Sequence, residues 1–376
     1  MSSLKLRILF AAFIRKIKKI VHKQYDDYGI RPKNLFLSPS LGIFENIHVN
    51  YRNLSFINSS LEPKQWQSVA REKLIELVGY QAKRPSVKTI LTQDFVHFEG
   101  SCSRSKFYLR VNKLADVPVT IIRPECIKQK GKPVLIFLAG STSGVHVGWG
   151  EVKVPIDHHR VSCGSDILLR AAKDGYFGVG IEQAGFGERQ EKHLHKKSSS
   201  RTADAFCHLV LQGRSLLGLG ATEVSSVIDW LIDHAHDFGI DRKKIYIFGH
   251  SSGGTLAQYC GALDPRIAGV MASGSVGFFE STIARRGVAS GVSVVPGILN
   301  WFEASDVISL MAPRLFIAVS GHEDHIFPFD GAKSVVEEAS TIFEKLNAAS
   351  SISALRLRGG HRYYGQPSWE YFKLNM

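Results

Sequence analysis

The chain has 376 residues, of which 44% are hydrophobic and 22% are charged, and its formal net charge is +13. A chain of this length can bury a large core, and one α/β domain with an extension would account for all of its residues. The five cysteines are scattered without a C-x-x-C pair. This spacing argues against a zinc or redox motif and favours a reducing, cytoplasmic setting.

The location of the basic residues limits what the net charge implies. Seven basic residues and no acidic residue lie in residues 1–25, so more than half of the net charge is local. The rest of the chain shows neither a recognition-helix pattern nor basic and aromatic RNA-binding motifs. We therefore expect no nucleic-acid partner.

Residues 1–25 have the pattern of a basic amphipathic helix. At about 100° per residue, the apolar residues share one arc and the basic residues fall outside it. The longest apolar run, residues 8–14, is too short to span a bilayer, and no clear signal-peptide cleavage site follows it. Three interpretations remain: a helix on an anionic membrane surface, a helix packed on the protein body, and an organelle-targeting presequence.

Residues 26–90 are predicted to form a helical extension. One helix in it would place Trp66, Val69, Leu74, Leu77 and Val78 on a single face and end at Gly79. The chain is accordingly divided into a basic amphipathic helix over residues 1–25, a helical extension over residues 26–90, and an α/β domain over residues 91–376.

Strand and helix patterns alternate after residue 91. Helix patterns occupy residues 167–172 and 217–235, and continuous apolar runs suit buried strands. The predicted strands are residues 95–98, 106–111, 117–122, 134–138, 177–181, 245–248, 267–271, 315–319 and 352–358. This alternation predicts a mostly parallel central sheet flanked by helices.

A G-x-S-x-G motif follows the strand at residues 245–248. A serine at the tip of so tight a strand-to-helix turn requires small residues two positions away on either side. Gly249 and Gly253 satisfy this requirement around Ser251. A turn centred on Ser252 would place His250 where a small residue is needed, so Ser251 is the predicted nucleophile.

An acid and a histidine follow two later strands. Asp324 lies in the turn after residues 315–319, and His361 follows residues 352–358. Glu323 and Asp330 are rival acids, which spacing alone does not separate from Asp324. Serine, acid and histidine, each just past the end of a strand, are typical of a hydrolytic triad.

The loop after residues 134–138 is a candidate oxyanion site. Backbone N–H groups must be fixed where a carbonyl oxygen becomes negative, and a small, glycine-containing loop at this position commonly supplies one. We predict that Ser141 and Ser252 provide these two groups. The alternative is an ordinary glycine-rich strand end.

Two further stretches have alternative interpretations. Residues 157–159 (DHH) and Glu191 with His193 and His195 are dense in metal-binding residue types, but neither has helical i, i+4 spacing. We therefore expect no metal site and no cofactor. Residues 277–312 include apolar side chains that either line an acyl or aryl pocket or pack in the core, namely Phe278, Phe279, Ile298, Leu299, Trp301 and Phe302.

From about residue 66 to residue 371, the chain resembles the α/β-hydrolase superfamily, and within it the dienelactone-hydrolase-like and acetyl-xylan-esterase-like branch. One departure is Ala139-Gly140, where such enzymes usually have His-Gly. The resemblance rests on Trp66-Gln67, Arg71, Leu74, Gly79, residues 214–218 (RSLLG), 249–254 (GHSSGG), 295–302 (VPGILNWF) and 324–328 (DHIFP), and Gly360-His361.

The resemblance implies an α/β-hydrolase fold and a serine hydrolase acting on a small-molecule carboxylic ester. Ser251 would form the acyl-enzyme, His361 would act as base, and Asp324 would orient the imidazole. A thioesterase, lipase, peptidase or acyltransferase of the same fold remains open. The alternative from another functional class is a membrane-surface or scaffold protein that keeps the fold but has no catalytic activity.

The membrane interpretation of residues 1–25 predicts binding to anionic liposomes. Each basic residue near the surface contributes about 1 kcal/mol of attraction, and the buried apolar arc adds several kcal/mol. Deletion of residues 1–25 should abolish liposome sedimentation and leave the melting temperature unchanged. A protein that never sediments with liposomes, and that loses melting temperature on deletion, contradicts this interpretation and supports the packed helix.

Overall fold

The computed structural model describes residues 39–47, 51–98, 102–124, 131–191, 202–285 and 291–376. The chain divides into two compact units, Met1–Ile47 and His48–Met376. The described part of the first unit contains one helix, α1 (Pro39–Glu45). The amphipathic helix predicted for residues 1–25 lies outside the described residues.

The second unit alternates strands and helices along the chain. Its strands are β1 (Lys88–Phe98), β2 (Cys102–Arg110), β3 (Val117–Pro124), β4 (Lys132–Leu138), β5 (Phe177–Ile181), β6 (Ile240–His250), β7 (Ile267–Ser273), β8 (Leu315–Gly321) and β9 (Ile352–Leu357). Its α-helices are α2 (Pro63–Val78), α3 (Pro155–Ser162), α4 (Ile167–Lys173), α5 (Ala203–Val210), α6 (Leu216–Asp233), α7 (Ala235–Phe238), α8 (Ser252–Leu263), α9 (Ala304–Ser309), α10 (Phe329–Lys345) and α11 (Gly365–Asn375). Short 3₁₀ turns include Val145–Trp149, and Glu280–Ala284 forms a π-helical turn.

Within the described residues, nine strands form one sheet in the order β1-β2-β3-β5-β4-β6-β7-β8-β9. The pairings β1-β2, β2-β3 and β3-β5 are antiparallel. The pairings β5-β4, β4-β6, β6-β7, β7-β8 and β8-β9 are parallel. The predicted mostly parallel sheet flanked by helices is therefore confirmed.

The central strands are buried on both faces, which explains their continuous apolar sequence. In β4, Ile136 faces one apolar cluster together with α2, α6, α8 and α10, whereas Phe137 faces a second cluster with α4 and α11. Strands β6 and β8 alternate between the same two clusters. Helices thus cover both faces of the sheet, and its strand ends are left free to build a site.

Helix α6 agrees with its predicted apolar face, and α2 agrees in part. The α6 residues predicted to share a face, from Leu217 to Leu231, are buried. In α2 the buried face steps by four from Trp66 through Leu74 to Val78, while Val69 is 44% exposed. Val69 was wrongly predicted, because at 100° per residue it lies well outside the arc centred on that face. Gly79, at φ +71°, ends the helix as predicted.

The parallel strands β4, β6, β7, β8 and β9 end at one edge of the sheet, where ligands bind in open α/β folds. In register, Leu138 of β4 pairs with Gly249 of β6, and Ser273 of β7 pairs with Val319 of β8. The loops that follow these strands therefore meet at one place. Across the described ranges, no helix is both long enough and apolar enough to cross a membrane.

Candidate active site

Ser251 occupies a sharp turn between β6 and α8. Its backbone has φ +52° and ψ −123°, a conformation that non-glycine residues rarely adopt. A Cβ on Gly249 would lie 2.2 Å from the carbonyl oxygen of Gly253, and a Cβ on Gly253 would lie 2.2 Å from that of Leu138. Both glycines are therefore required by the close approach of the backbone segments around the serine.

Ser251, His361 and Asp324 form a continuous hydrogen-bonded chain. The His361 Nε2 atom lies 3.0 Å from Ser251 Oγ, and its Nδ1 atom lies 2.9 Å from Asp324 Oδ2. With its proton on Nδ1, the imidazole donates to the carboxylate and accepts from the serine hydroxyl. Side chains separated by 110 and 37 residues in sequence thus meet at one place, with His361 between Ser251 and Asp324.

The structure distinguishes the three candidate acids. The Asp324 side chain is buried, and its second oxygen accepts the N–H groups of Ile326 and Phe327 at 2.8 and 2.9 Å. Burial alone would raise the pKa of Asp324, but the hydrogen bonds from His361 and these N–H groups hold it below its ordinary value. Glu323 and Asp330 are exposed, so Asp324 is the carboxylate that contacts His361.

A second histidine lies next to the hydrogen-bonded chain. The ring of His250 is buried, with its centroid 5.2 Å from that of His361 and 4.1 Å from that of Tyr363. Burial, together with the neighbouring His361, lowers the pKa of His250 to about 3. His250 is therefore neutral and adds no positive charge beside His361.

The loop after β4 brings the two predicted oxyanion residues together. The Ser141 hydroxyl donates to Ser252 Oγ at 3.1 Å. The N–H groups of Gly140 and Thr142 bond to Tyr363 Oη at 3.3 Å and to the Gly140 carbonyl at 2.6 Å, respectively. Within the described residues, the Ser141 N–H has no such acceptor. The Ser252 N–H opens helix α8 and has no partner within the helix.

A buried polar cluster, which the sequence did not predict, holds the far end of this loop. Asp157, which is fully buried, accepts from Ser143 Oγ at 2.6 Å and from Arg160 at 2.7 Å, and it lies 3.0 Å from His146 Nε2. Asp157 belongs to the DHH stretch that was considered for metal binding, and here its carboxylate anchors a loop. His193 and His195, which belong to the second stretch with metal-binding residue types, lie outside the described residues.

One pocket borders the serine turn, and another lies next to Val145 and His146, which follow the loop. A small pocket of about 30 Å³ includes Ser252, and its apolar walls come from Phe186, Leu216, Leu217, Leu256 and Val292. A larger polar pocket of about 190 Å³ is lined by residues that include Trp149, Lys106, Lys153, Glu182 and Glu188. In that pocket, burial raises the pKa of Glu182 to about 7, and the carboxylate accepts the Val145 N–H at 3.0 Å.

The apolar stretch at residues 277–312 contributes to both the core and a cavity. Phe302 is fully buried in the core. Phe279, Ile298 and Leu299 line a separate cavity of about 200 Å³ together with Tyr259. Phe302 therefore fits the core alternative, and the acyl- or aryl-pocket alternative stays a prediction.

Comparison with known proteins places this geometry in a family context. A crystal structure from Bacteroides fragilis NCTC 9343, provisionally described as an acetyl xylan esterase, superposes with a TM-score of 0.67 and 16% identity over 90% of this chain and 86% of that one. A glucuronoyl esterase from Solibacter usitatus gives a TM-score of 0.61 and 14% identity over 84% and 93% of the two chains. The chain has the fold of the α/β-hydrolase superfamily.

Sequence comparison gives two further matches. The family model described as BD-FAE matches residues 219–334, which include Ser251 and Asp324. YtaP of Bacillus subtilis (strain 168), provisionally described as a hydrolase, is 24% identical over 67% of this chain and 80% of its own length. The comparisons thus confirm the predicted α/β-hydrolase fold and find structural neighbours that are named as esterases.

Proposed function

We propose that this α/β-hydrolase cleaves carboxylic esters through an acyl-enzyme on Ser251. The observation that carries the proposal is the hydrogen-bonded chain from Ser251 through His361 to the buried Asp324. The comparisons support the coarser statement, a hydrolase of the esterase type. The catalytic role of each side chain is part of the proposal.

In the first half-reaction, Ser251 Oγ attacks the ester carbonyl carbon and its proton passes to His361 Nε2. Asp324 stabilises the imidazolium and keeps the ring in the required orientation. The carbonyl oxygen becomes negative and accepts hydrogen bonds from the backbone N–H groups of Ser141 and Ser252. Collapse of this intermediate breaks the ester C–O bond, and His361 returns the proton to the leaving alcohol.

In the second half-reaction, water takes the place of the alcohol. His361 removes a proton from the water as its oxygen attacks the acyl-enzyme, and the same N–H groups stabilise the second tetrahedral intermediate. The free acid then leaves and Ser251 recovers its proton. A thiol ester, an amide or a competing acceptor alcohol would use the same steps, so a substrate panel is needed to separate esterase from thioesterase, lipase, peptidase and acyltransferase activity.

The pockets support a substrate with a short acyl group and a polar alcohol part. The pocket beside Ser252 is small, at about 30 Å³, and has apolar walls, which suits a short acyl group such as that of an acetyl ester. A separate pocket of about 190 Å³, next to the segment that follows the loop, offers carboxylates and lysines suited to hydroxyl groups. Because two structural neighbours are named as sugar-ester enzymes, acetylated xylose and methyl glucuronate belong in the panel.

Replacing the nucleophile is the primary test. Ser251→Ala should lower kcat for p-nitrophenyl acetate by several orders of magnitude and abolish labelling by a fluorophosphonate probe, because no other group forms the acyl-enzyme. Circular dichroism should show a folded protein. Ser252→Ala keeps its backbone N–H and should still be labelled. Labelling of Ser251→Ala but not of Ser252→Ala would reverse the assignment, and a native protein without labelling or turnover would favour the non-catalytic scaffold.

The acid assignment can be tested by amide substitution. Asp324→Asn should lower kcat by about three or more orders of magnitude, because the amide favours the wrong imidazole tautomer and leaves the imidazolium unstabilised. Glu323→Gln is the matched control in the same turn and should cost little. Steady-state kinetics of the two variants measures both effects, and equal losses would refute the assignment of Asp324.

The small pocket predicts a preference for short acyl chains. We expect kcat/KM for p-nitrophenyl acetate to exceed that for the octanoate ester by about tenfold or more, since a well-packed pocket discriminates between chain lengths. Leu216→Ala should enlarge the pocket and shift the preference toward butyrate. Leu211→Ala, at a residue that is 85% exposed, is the control and should not change it. A native enzyme that prefers octanoate would contradict this use of the pocket.

A further inference from the structure

Tyr363 connects two parts of the candidate site. It follows His361 by two residues, and only 3% of it is exposed. Its phenolic oxygen accepts the N–H of Gly140 at 3.3 Å, across a sequence separation of 223 residues. Its ring packs against His250, with 4.1 Å between centroids, and against Phe137, with 6.4 Å between centroids. One short segment therefore carries both the histidine that contacts Ser251 and a group that holds the loop after β4.

We propose that Tyr363 is a positioning residue that fixes the oxyanion loop through the Gly140 N–H. This inference rests on the proposed esterase function and names a further residue required for it. By accepting the Gly140 N–H, the phenol sets the orientation of that peptide group. The next N–H along the chain, that of Ser141, is then left to receive the substrate oxygen.

Gly140 needs such an external anchor. A Cβ at this position would lie 3.0 Å from the His250 carbonyl oxygen and 3.1 Å from Ser251 Cβ, so a larger residue would crowd the nucleophile. Without a side chain, Gly140 can be fixed only through its backbone. Its N–H is also buried, and a buried donor without an acceptor costs about 1–3 kcal/mol. Tyr363 provides that acceptor.

The other contacts of the loop act on different atoms, and one of them acts on the carbonyl of the same peptide group. Gln183 Nε2 donates to the Ala139 carbonyl at 2.5 Å, and Ser143 donates to Asp157 at 2.6 Å. Ser141 reaches Ser252 through its side chain at 3.1 Å. These contacts hold the two ends of the loop and the Ser141 side chain. Within the described residues, Tyr363 is the acceptor for the Gly140 N–H, and it holds the Ala139–Gly140 peptide group together with Gln183.

Tyr363→Phe removes the acceptor and keeps the packed ring, and Tyr80→Phe is the matched control. The Tyr80 hydroxyl is also buried and donates to Ser225 at 3.0 Å, but it belongs to no part of the site. Tyr363→Phe should lower kcat by about 10- to 100-fold with KM within threefold, because oxyanion donors act mainly in the transition state. Tyr80→Phe should leave kcat within twofold of the native value.

A boronic acid that forms a tetrahedral adduct with the serine provides a second measurement. Its inhibition constant should rise in Tyr363→Phe by about the same factor as kcat falls, whereas inhibition by the product acid should be unchanged. Loss of folding alone would not produce this difference between the two inhibitors. If Tyr363→Phe does not fold, 3-fluorotyrosine at position 363 keeps the ring and weakens the acceptor oxygen, and a smaller fall in kcat at unchanged KM is expected.

Three outcomes overturn the inference. The first is a kcat of Tyr363→Phe that stays within twofold of the native value, or an unchanged kcat of the fluorotyrosine protein. The second is an equal weakening of boronic and product acid inhibition, and the third is a matching loss of kcat in Tyr80→Phe. Failure of the proposed function is distinguished separately, since hydrolysis would then not depend on Ser251. That result would remove the basis of the inference, whereas a Ser251-dependent enzyme insensitive to Tyr363→Phe refutes the inference alone.

Discussion

The site depends on a backbone approach that leaves no room for side chains at two positions. Gly249 and Gly253 lie so close to neighbouring carbonyl groups that a Cβ on either would be 2.2 Å from an oxygen atom. This contact allows β6 to turn into α8 at once and holds Ser251 in a strained conformation, with its N–H bonded to the Ser273 carbonyl at 2.8 Å. The serine hydroxyl is thereby presented at the sheet edge where the loops after β4, β8 and β9 meet.

Around this turn, the charges are arranged so that one carboxylate faces one imidazole. Asp324 is buried but receives enough hydrogen bonds to remain ionised, whereas His250 is buried next to His361 and remains neutral. Burial disfavours the charged form of both groups, and only Asp324 receives hydrogen bonds that outweigh this effect. The polar cluster around Asp157 applies the same principle to the loop after β4, where the carboxylate is satisfied by Ser143 and Arg160.

Local sequence patterns were sufficient for the fold and for the order of the candidate residues. Continuous apolar runs predicted the buried strands, and the glycines around Ser251 predicted the turn, because both are short-range steric or burial effects. Asp324 and Glu323 are adjacent, and only their three-dimensional environments distinguish them. The contact of Tyr363 with Gly140 joins residues 223 positions apart and follows no periodic pattern, so sequence reasoning could not have found it. Val69 was misassigned because several apolar residues allowed more than one helix face.

The position of His361 after the last strand of the sheet has a consequence for biosynthesis. The ribosome releases Ser251 and Asp324 well before it releases His361, which lies 110 residues beyond the serine. A nascent chain that ends at β8 can complete the serine turn, but it contains neither the imidazole nor the tyrosine that holds the opposite loop. Under the proposed function, the serine hydroxyl therefore has no base to activate it until synthesis has passed β9 and reached His361.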